Sequence, residues 1–305
     1  MNRDLERTIS GVQTISIIIP SLNSPILDRV INAILDQDMA SAINEVVVVG
    51  KDDAGLVPEA PVVRLIDTGR PVDASTARNL GTKATTGDLI IFLDSDCIPQ
   101  PEWLAWHIAA HEAGHRVVGG GVLPAGSDYW HLTYNLSMFH EVFSTAPARS
   151  RPFLPTLNLS VERVVIDTVG GLDESLKYSH DLDWTTRMHA AGFQPWFCPQ
   201  AAVEHVHNRH TMRQVWDDCA INGHYARQVR VEHTEELGTP AIFRSPNLIR
   251  LLSPFIALGV TARIVGKRPE TMLQHISTIP AVFLTKIAWC WGAGGEAGAS
   301  SAKKK

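Results

Sequence analysis

The strongest constraint on the fold is a rhythm of short β-branched runs separated by patterns of helical period, repeated through the first third of the chain. Ile15–Ile19 is such a run, closed by Pro20, and reads as a buried strand. Ser24-Pro25 then supplies an N-cap and first-turn proline, and Leu27, Val30, Ile31 and Ile34 recur at helical spacing. Further strands are expected at Glu45–Val49, Val62–Ile66 and Leu89–Leu93, the last after a helix from Ser75 to Ala84. Such alternation implies an α/β class with a parallel sheet covered by helices, in which ligands bind at the carboxyl ends of the strands.

The 305 residues suffice for one large domain or a domain with an appendage. With 45% hydrophobic and 19% charged residues and a mean hydropathy near zero, the chain is neither disordered nor a polytopic membrane protein. Its net charge of -5 is unevenly spread: residues 240–305 hold nine Lys/Arg against two Asp/Glu, a net of +7, which leaves -12 for the remainder. The acidic remainder argues against nucleic acid as a partner, while the basic, apolar end suits an anionic membrane surface. Cys97, Cys198, Cys219 and Cys290 form no C-x-x-C pair and follow no secretory leader, so a reducing, cytoplasmic setting is expected. The turn after the first strand, Pro20-Ser21-Leu22-Asn23, lacks G-x-G-x-x-G and argues against a nicotinamide enzyme.

Beyond Leu93 a helix is expected over Glu102–Ala113, a strand at Val117–Val118 and a flexible run at Gly119-Gly120-Gly121. Residues 124–157, rich in aromatics and prolines, read as an irregular excursion lining a pocket. Helical patterns return at Asp181–Ala191 and Thr211–Val229. From Pro240 the apolar runs are broken by Ser253-Pro254, Lys267-Arg268-Pro269 and Pro280 before they reach the roughly 20 residues that span a bilayer. Amphipathic helices lying on a membrane are one reading of this segment; core helices of a C-terminal subdomain are the other. The chain thus divides into residues 1–235, carrying the chemistry, and a helical appendage, 236–305.

Asp94-Ser95-Asp96 directly follows the Leu89–Leu93 run, and two carboxylates in this arrangement can hold Mg²⁺ or Mn²⁺ with positions left open for a diphosphate. If Val203–His207 is extended, His205 and His207 share one face, and either imidazole could complete the metal shell. Arg78 could approach the diphosphate or pair with a strand-end aspartate. A rival motif is His111-Glu112-Ala113-Gly114-His115, which fits the zinc-hydrolase pattern H-E-x-x-H. That mechanism needs both histidines on one continuous helix, and Gly114 places the second past the helix end.

The ordered set of Ile17-Ile18-Ile19-Pro20, Ala77-Arg78-Asn79-Leu80-Gly81, Thr86-Gly87-Asp88, Asp94-Ser95-Asp96, Gly170-Gly171-Leu172-Asp173-Glu174 and His180-Asp181-Leu182-Asp183-Trp184 resembles glycosyltransferase family 2 of the GT-A fold, over residues 14–230. The resemblance implies a nucleotide-sugar donor, a divalent cation at the D-x-D, inversion at the anomeric carbon, and a glycan, lipid-linked or small-molecule acceptor. It further implies work at the cytoplasmic face of a membrane in cell-envelope polysaccharide assembly. The family's basic aspartate falls on Asp181, with Asp183 as substitute, and His180 stands where the family has glutamate. Asp52 and Asp53 are the expected nucleotide contacts, with Pro20, Arg78, Asp94 and Asp96 on the donor side, although Gly50-Lys51 separates the acidic pair from the expected end of its strand. Asn158, Gly171 and Trp184 are expected toward the acceptor.

Overall fold

The computed structural model describes residues 14–295; the ends, including Lys303–Lys305 of the basic segment, lie outside the described residues. The strands are β1 (Ile15–Leu22), β2 (Ile43–Lys51), β3 (Val63–Asp67), β4 (Leu89–Leu93), β5 (Cys97–Pro99), β6 (Val117–Val122), β7 (Arg149–Ser150), β8 (Asn158–Glu162) and β9 (Trp196–His205). They form one mixed sheet in the order β3-β2-β1-β4-β8-β6-β9-β5, with β7 paired to β9. The first half, β3-β2-β1-β4, is parallel; β8 then runs antiparallel to both β4 and β6. Helices α1 (Leu27–Leu35), α2 (Ala74–Ala84), α3 (Trp103–Glu112), α4 (Tyr129–Met138), α5 (Arg163–Val169) and α6 (His180–Ala190) are interleaved with the strands. The described residues end in α7 (Met212–Glu232), α8 (Pro246–Leu251), α9 (Ser253–Lys267), α10 (Pro269–Gln274) and α11 (Ile279–Ala293).

The main core lies in the sheet, where Ile15, Ile17, Ile18 and Ile19 of β1 are all buried because helices close both faces. On α1 the buried residues are Leu27, Val30, Ile31 and Ile34, the four that the helical spacing selects. Pro20 does not end β1. The Asn23 N–H donates to Lys51 O (2.9 Å), so alternation turns the Pro20 nitrogen to the β4 side, beyond the last β1–β4 pair, Ile18 with Phe92. No ladder bond is lost there.

Two expectations need correction. Gly119-Gly120-Gly121 is strand: a Cβ on Gly120 would lie 2.0 Å from Ala201 O and 2.2 Å from Asn158 Nδ2, so these glycines let β6 seat closely against its neighbours. The excursion over 124–157 contains α4, capped by the Asp128 carboxylate, which accepts from the N–H groups of Trp130 and His131. Helix α4 is sandwiched: Leu136 packs with Ile264, Met272 and Val282, and Tyr134 with Val215, Cys219 and Ala288. It therefore joins the sheet to the C-terminal helices.

Candidate active site

The Asp94-Ser95-Asp96 turn sits between β4 and β5 and is tied down from several directions. The Asp94 N–H donates to Leu157 O (3.0 Å) and the Val206 N–H to Asp96 O (2.8 Å). The Ser24 hydroxyl donates to Ser95 O (2.6 Å), so it fastens the β1 loop to the acidic turn and does not cap α1, whose N-cap position is Ile26.

Arg78, buried on α2, links this turn to the start of α6. One guanidinium nitrogen pairs with Asp94 Oδ1, and another donates to His180 Nε2 (2.8 Å). Of its two expected roles, Arg78 takes the strand-end pair. Burial, with Arg78 beside it, pushes His180 down to about 4, so the imidazole is neutral and can accept from an arginine where a sequence of the family pattern would place glutamate. Next along α6 is Asp181, whose Oδ1 accepts from the Leu182 N–H (2.8 Å). Burial raises its pKa against the lowering effect of backbone hydrogen bonds and Arg78. A carboxyl with a raised pKa is better matched to proton transfer than an ordinary surface acid.

Asp96 faces His205, the last residue of β9. Both hydrogens of Asn135 Nδ2 serve carbonyls, of Ala125 (2.8 Å) and His205 (3.2 Å), so Asn135 Oδ1 accepts and His205 Nδ1 (2.9 Å) donates to it. His205 Nε2 is thereby turned to Asp96 Oδ2 at 3.6 Å, beyond hydrogen-bond reach. Cys97 Sγ joins them: one ligand atom from each of Asp96, Cys97 and His205 lies within 4.8 Å of the others, the one group of this kind among the described residues. Imidazole nitrogen beside carboxylate oxygen, with the far ring nitrogen held by a second residue, is a donor set that fits a divalent cation. Burial works against ionisation of Asp96, yet His205 and Arg209 hold it down at about 2. His207 lies just past β9, and its Nδ1 accepts from the Arg209 N–H (3.0 Å) while its ring stacks on His131 at 3.9 Å. It is buried and pushed down to about 2, hence neutral. The two histidines therefore differ in placement: His205 is presented to Asp96, and His207 stacks on His131.

Asp52 and Asp53 do follow their strand directly, because β2 continues through Gly50 and Lys51. Gly50 has φ 134°, and a Cβ there would lie 1.9 Å from Ser21 O, so only glycine lets β1 and β2 close up at this point. Asp53 is engaged by Asn23 Nδ2 (2.8 Å) and by Lys51 Nζ (3.1 Å), which together lower its pKa. Asp52 Oδ2 accepts only from the Val57 N–H (2.8 Å) among the described residues, leaving acceptor capacity open.

Three expected site residues are structural. Asp183 is buried between Arg187 (2.9 Å) and His233 (2.9 Å), which occupy both carboxylate oxygens. Trp184 is fully buried, donates to Gly170 O (2.8 Å) and meets Phe92 edge-on at 5.5 Å. Asn158 is buried with its hydrogen-bonding capacity used: Oδ1 accepts from Trp103 Nε1 (2.8 Å) and meets His107 Nε2 (3.0 Å), and Nδ2 donates to Ala201 O (2.8 Å) and Gly121 O (3.3 Å). None of the three can reach an acceptor. Gly171 is exposed in the loop before α6, where a Cβ would lie 2.6 Å from Asn79 Oδ1, the atom that accepts from the Leu172 N–H (3.0 Å).

The H-E-x-x-H motif builds no zinc site. His111 Nε2 is bonded to Ser160 Oγ (2.7 Å), α3 ends at Glu112, Gly114 takes φ 94°, and His115 stacks on Trp196 at 4.1 Å beyond the helix. Sequence reasoning overlooked Cys97, Asn135 and Arg209. Arg209 lies over the Tyr134 ring (4.5 Å) and pairs with Asp218 (3.1 Å), close enough to act on Asp96. No spacing marks these residues, because the partners that place them are far along the chain: His205 of β9 for Cys97 and Asn135, and Tyr134 of α4 for Arg209.

The glycosyl transferase family 2 model matches residues 16–171. Glycosyltransferase AglE of Haloferax volcanii is 26% identical over 196 residues, 60% of this chain and 64% of its own length. The pre-mycofactocin glycosyltransferase of Mycobacterium tuberculosis is 28% identical over 220 residues, 67% of this chain and 46% of its own. The match thus takes in less than two-thirds of either relative. Among solved structures, the mannosyltransferase PcManGT of Pyrobaculum calidifontis, in complex with GDP-Man and Mn²⁺, superimposes with a TM-score of 0.60 at 15% identity, covering 93% of this chain and 87% of that one. GalNAc-T7 with UDP, GalNAc and Mn²⁺ gives 0.54 at 15% identity, covering 76% and 52%. At this identity the structures speak to the fold, which is GT-A.

Proposed function

Because the chain belongs to glycosyl transferase family 2, matched over residues 16–171, we propose that it is a metal-dependent, inverting glycosyltransferase. It moves a sugar from a nucleotide-sugar donor to a hydroxyl of a glycan, lipid-linked or small-molecule acceptor, at the cytoplasmic face of a membrane. The observation that carries this reading is the Arg78 fork, which holds Asp94 and the start of α6 as one unit at the carboxyl ends of the strands. The leaving-group end and the base are thereby mounted on a single rigid frame.

Asp96 and His205, with Asp94 on the same turn, would hold Mn²⁺ or Mg²⁺. When bound, the cation offsets the negative charge that builds on the departing nucleoside diphosphate. Asn135 keeps the His205 ring oriented. Asp52 takes hydrogen bonds from the nucleotide, and Pro20 forms part of the β1 end beneath it. Asp181 is the base. The acceptor oxygen attacks the anomeric carbon while its proton passes to the Asp181 carboxylate, and the bond from that carbon to the diphosphate oxygen breaks on the opposite face, which inverts the centre. The exposed Gly171 loop is left as an acceptor-side contact. In this reading residues to 235 do the chemistry and 236–305 serve as its appendage.

Turnover of UDP-, GDP- and dTDP-sugars over a panel of acceptors tests the proposal. Nucleoside diphosphate release that requires both acceptor and Mn²⁺ or Mg²⁺ is expected. Metal-dependent donor binding with no transfer to any acceptor would reduce the chain to a binding module.

A further inference from the structure

Helix α9 is inside out. Its buried stripe is Ser253, Ala257, Thr261 and Ile264, three of them small, and the Thr261 hydroxyl has no partner among the described residues. Its outward side carries Phe255 and Leu258, exposed to 73% and 62%, and the row begins on α8 with Leu248 and Leu251, the latter also at 73%. The spacing 248, 251, 255, 258 follows one helical face, and a helix facing water puts such residues inward. Leu273 and Ile276, both at 61%, and Trp291 at 54% are uncovered as well. Seven of the fifteen exposed large apolar side chains therefore fall between Leu248 and Trp291, which marks this face as a surface built for contact.

Charge indicates what covers it. Arg244, Arg250 and Arg263 are exposed, while Glu270 is the one acid between Pro240 and Gly295; Lys267, at the end of α9, is paired with Glu141 (2.8 Å). We propose that the outward row of α8 and α9 seats the protein on an anionic lipid bilayer, its apolar side chains at the headgroup–acyl boundary and its arginines on lipid phosphates. A second copy of the chain fits less well, since apposing two such faces would bring like charges together. The contact is peripheral. Residues 276–293 have the length and apolarity of a span, but α11 is packed on α7 so tightly that a Cβ on Gly292 would lie 1.7 Å from Ala220 O. This surface stands whether or not the transfer reaction is as proposed.

Co-sedimentation of the full chain with vesicles tests it, comparing pure phosphatidylcholine with vesicles containing about a quarter phosphatidylglycerol. The protein is expected to pellet with the anionic vesicles, to stay in solution with the neutral ones, and to be released by salt. The pair Phe255→Glu and Leu258→Glu should weaken binding at least about tenfold while leaving the melting temperature unchanged, and Arg263→Glu should weaken it several-fold on the anionic vesicles alone. Wild-type protein that stays in solution with anionic vesicles at low salt overturns the proposal. A concentration-dependent dimer in vesicle-free sedimentation, abolished by Phe255→Glu, overturns it in favour of a second copy.

Discussion

The strand-end site and the C-terminal helices place their polarity in opposite ways. At the site, charged groups are held inside the fold: Arg78 between Asp94 and His180, His205 between Asn135 and Asp96, Arg209 between Tyr134 and Asp218. In α9 three of the four buried residues are small, while large apolar side chains of α8 and α9 face out. Buried charge is costly unless paired and hydrogen-bonded, so the first arrangement confers geometric precision at some cost to stability. The second gives up core packing and gains a surface. As proposed, chemistry belongs to one region and contact to the other, and substitutions should separate them.

The largest separation is expected from Asp181→Asn, which should lower the transfer rate by about 10²–10⁴-fold, the usual worth of a general base, while nucleotide affinity in a binding titration stays unchanged. Burial raises the Asp181 pKa, so the rate should fall as pH drops through a value above that of an ordinary aspartate and recover above it, as a kcat–pH profile would record. Next is Asn135→Ala. It touches no substrate, yet by releasing the His205 ring it should weaken Mn²⁺ binding about 10–100-fold in a metal titration. Asp183→Asn should do the reverse of Asp181→Asn, with kcat preserved but stability lower by about 1–3 kcal/mol in denaturant unfolding, since Asn keeps one acceptor oxygen and sets its NH2 against the second partner, Arg187 or His233. Smallest is Phe255→Glu, which as an exposed change should move stability by no more than about 0.5 kcal/mol and leave transfer to a soluble acceptor untouched. An Asp183→Asn variant as inactive as Asp181→Asn would break the division between chemical and structural acids.

The same contrast explains what could be read from the sequence. The inner parallel strands β1, β2 and β4 were legible because they are apolar on both faces, and α1 because one face holds all its buried residues. For the D-x-D turn, Asp181 and His205 the sequence indicated the positions they take, at strand ends and a helix start. Helix α4 was not, since it buries His131, Thr133, Asn135 and Ser137 along with Leu136, and no apolar period marks polar residues turned inward to make hydrogen bonds. Asn158 and Trp184 carry the residue types of a binding site but saturate their hydrogen bonds inside the fold. Whether a polar side chain points to a ligand or to a neighbour depends on partners distant in sequence.

A thermal-shift titration of wild type and Asp96→Asn with UDP and GDP, each with and without Mn²⁺, tests the central claim most directly. A ligand at a hundredfold excess over its Kd adds about 2.7 kcal/mol to the native state, which a melting curve reads as a clear rise. The account predicts that one of the two nucleotides raises the wild-type melting temperature only when Mn²⁺ is present, and that Asp96→Asn abolishes the metal-dependent part. A full metal-dependent rise in Asp96→Asn would contradict it.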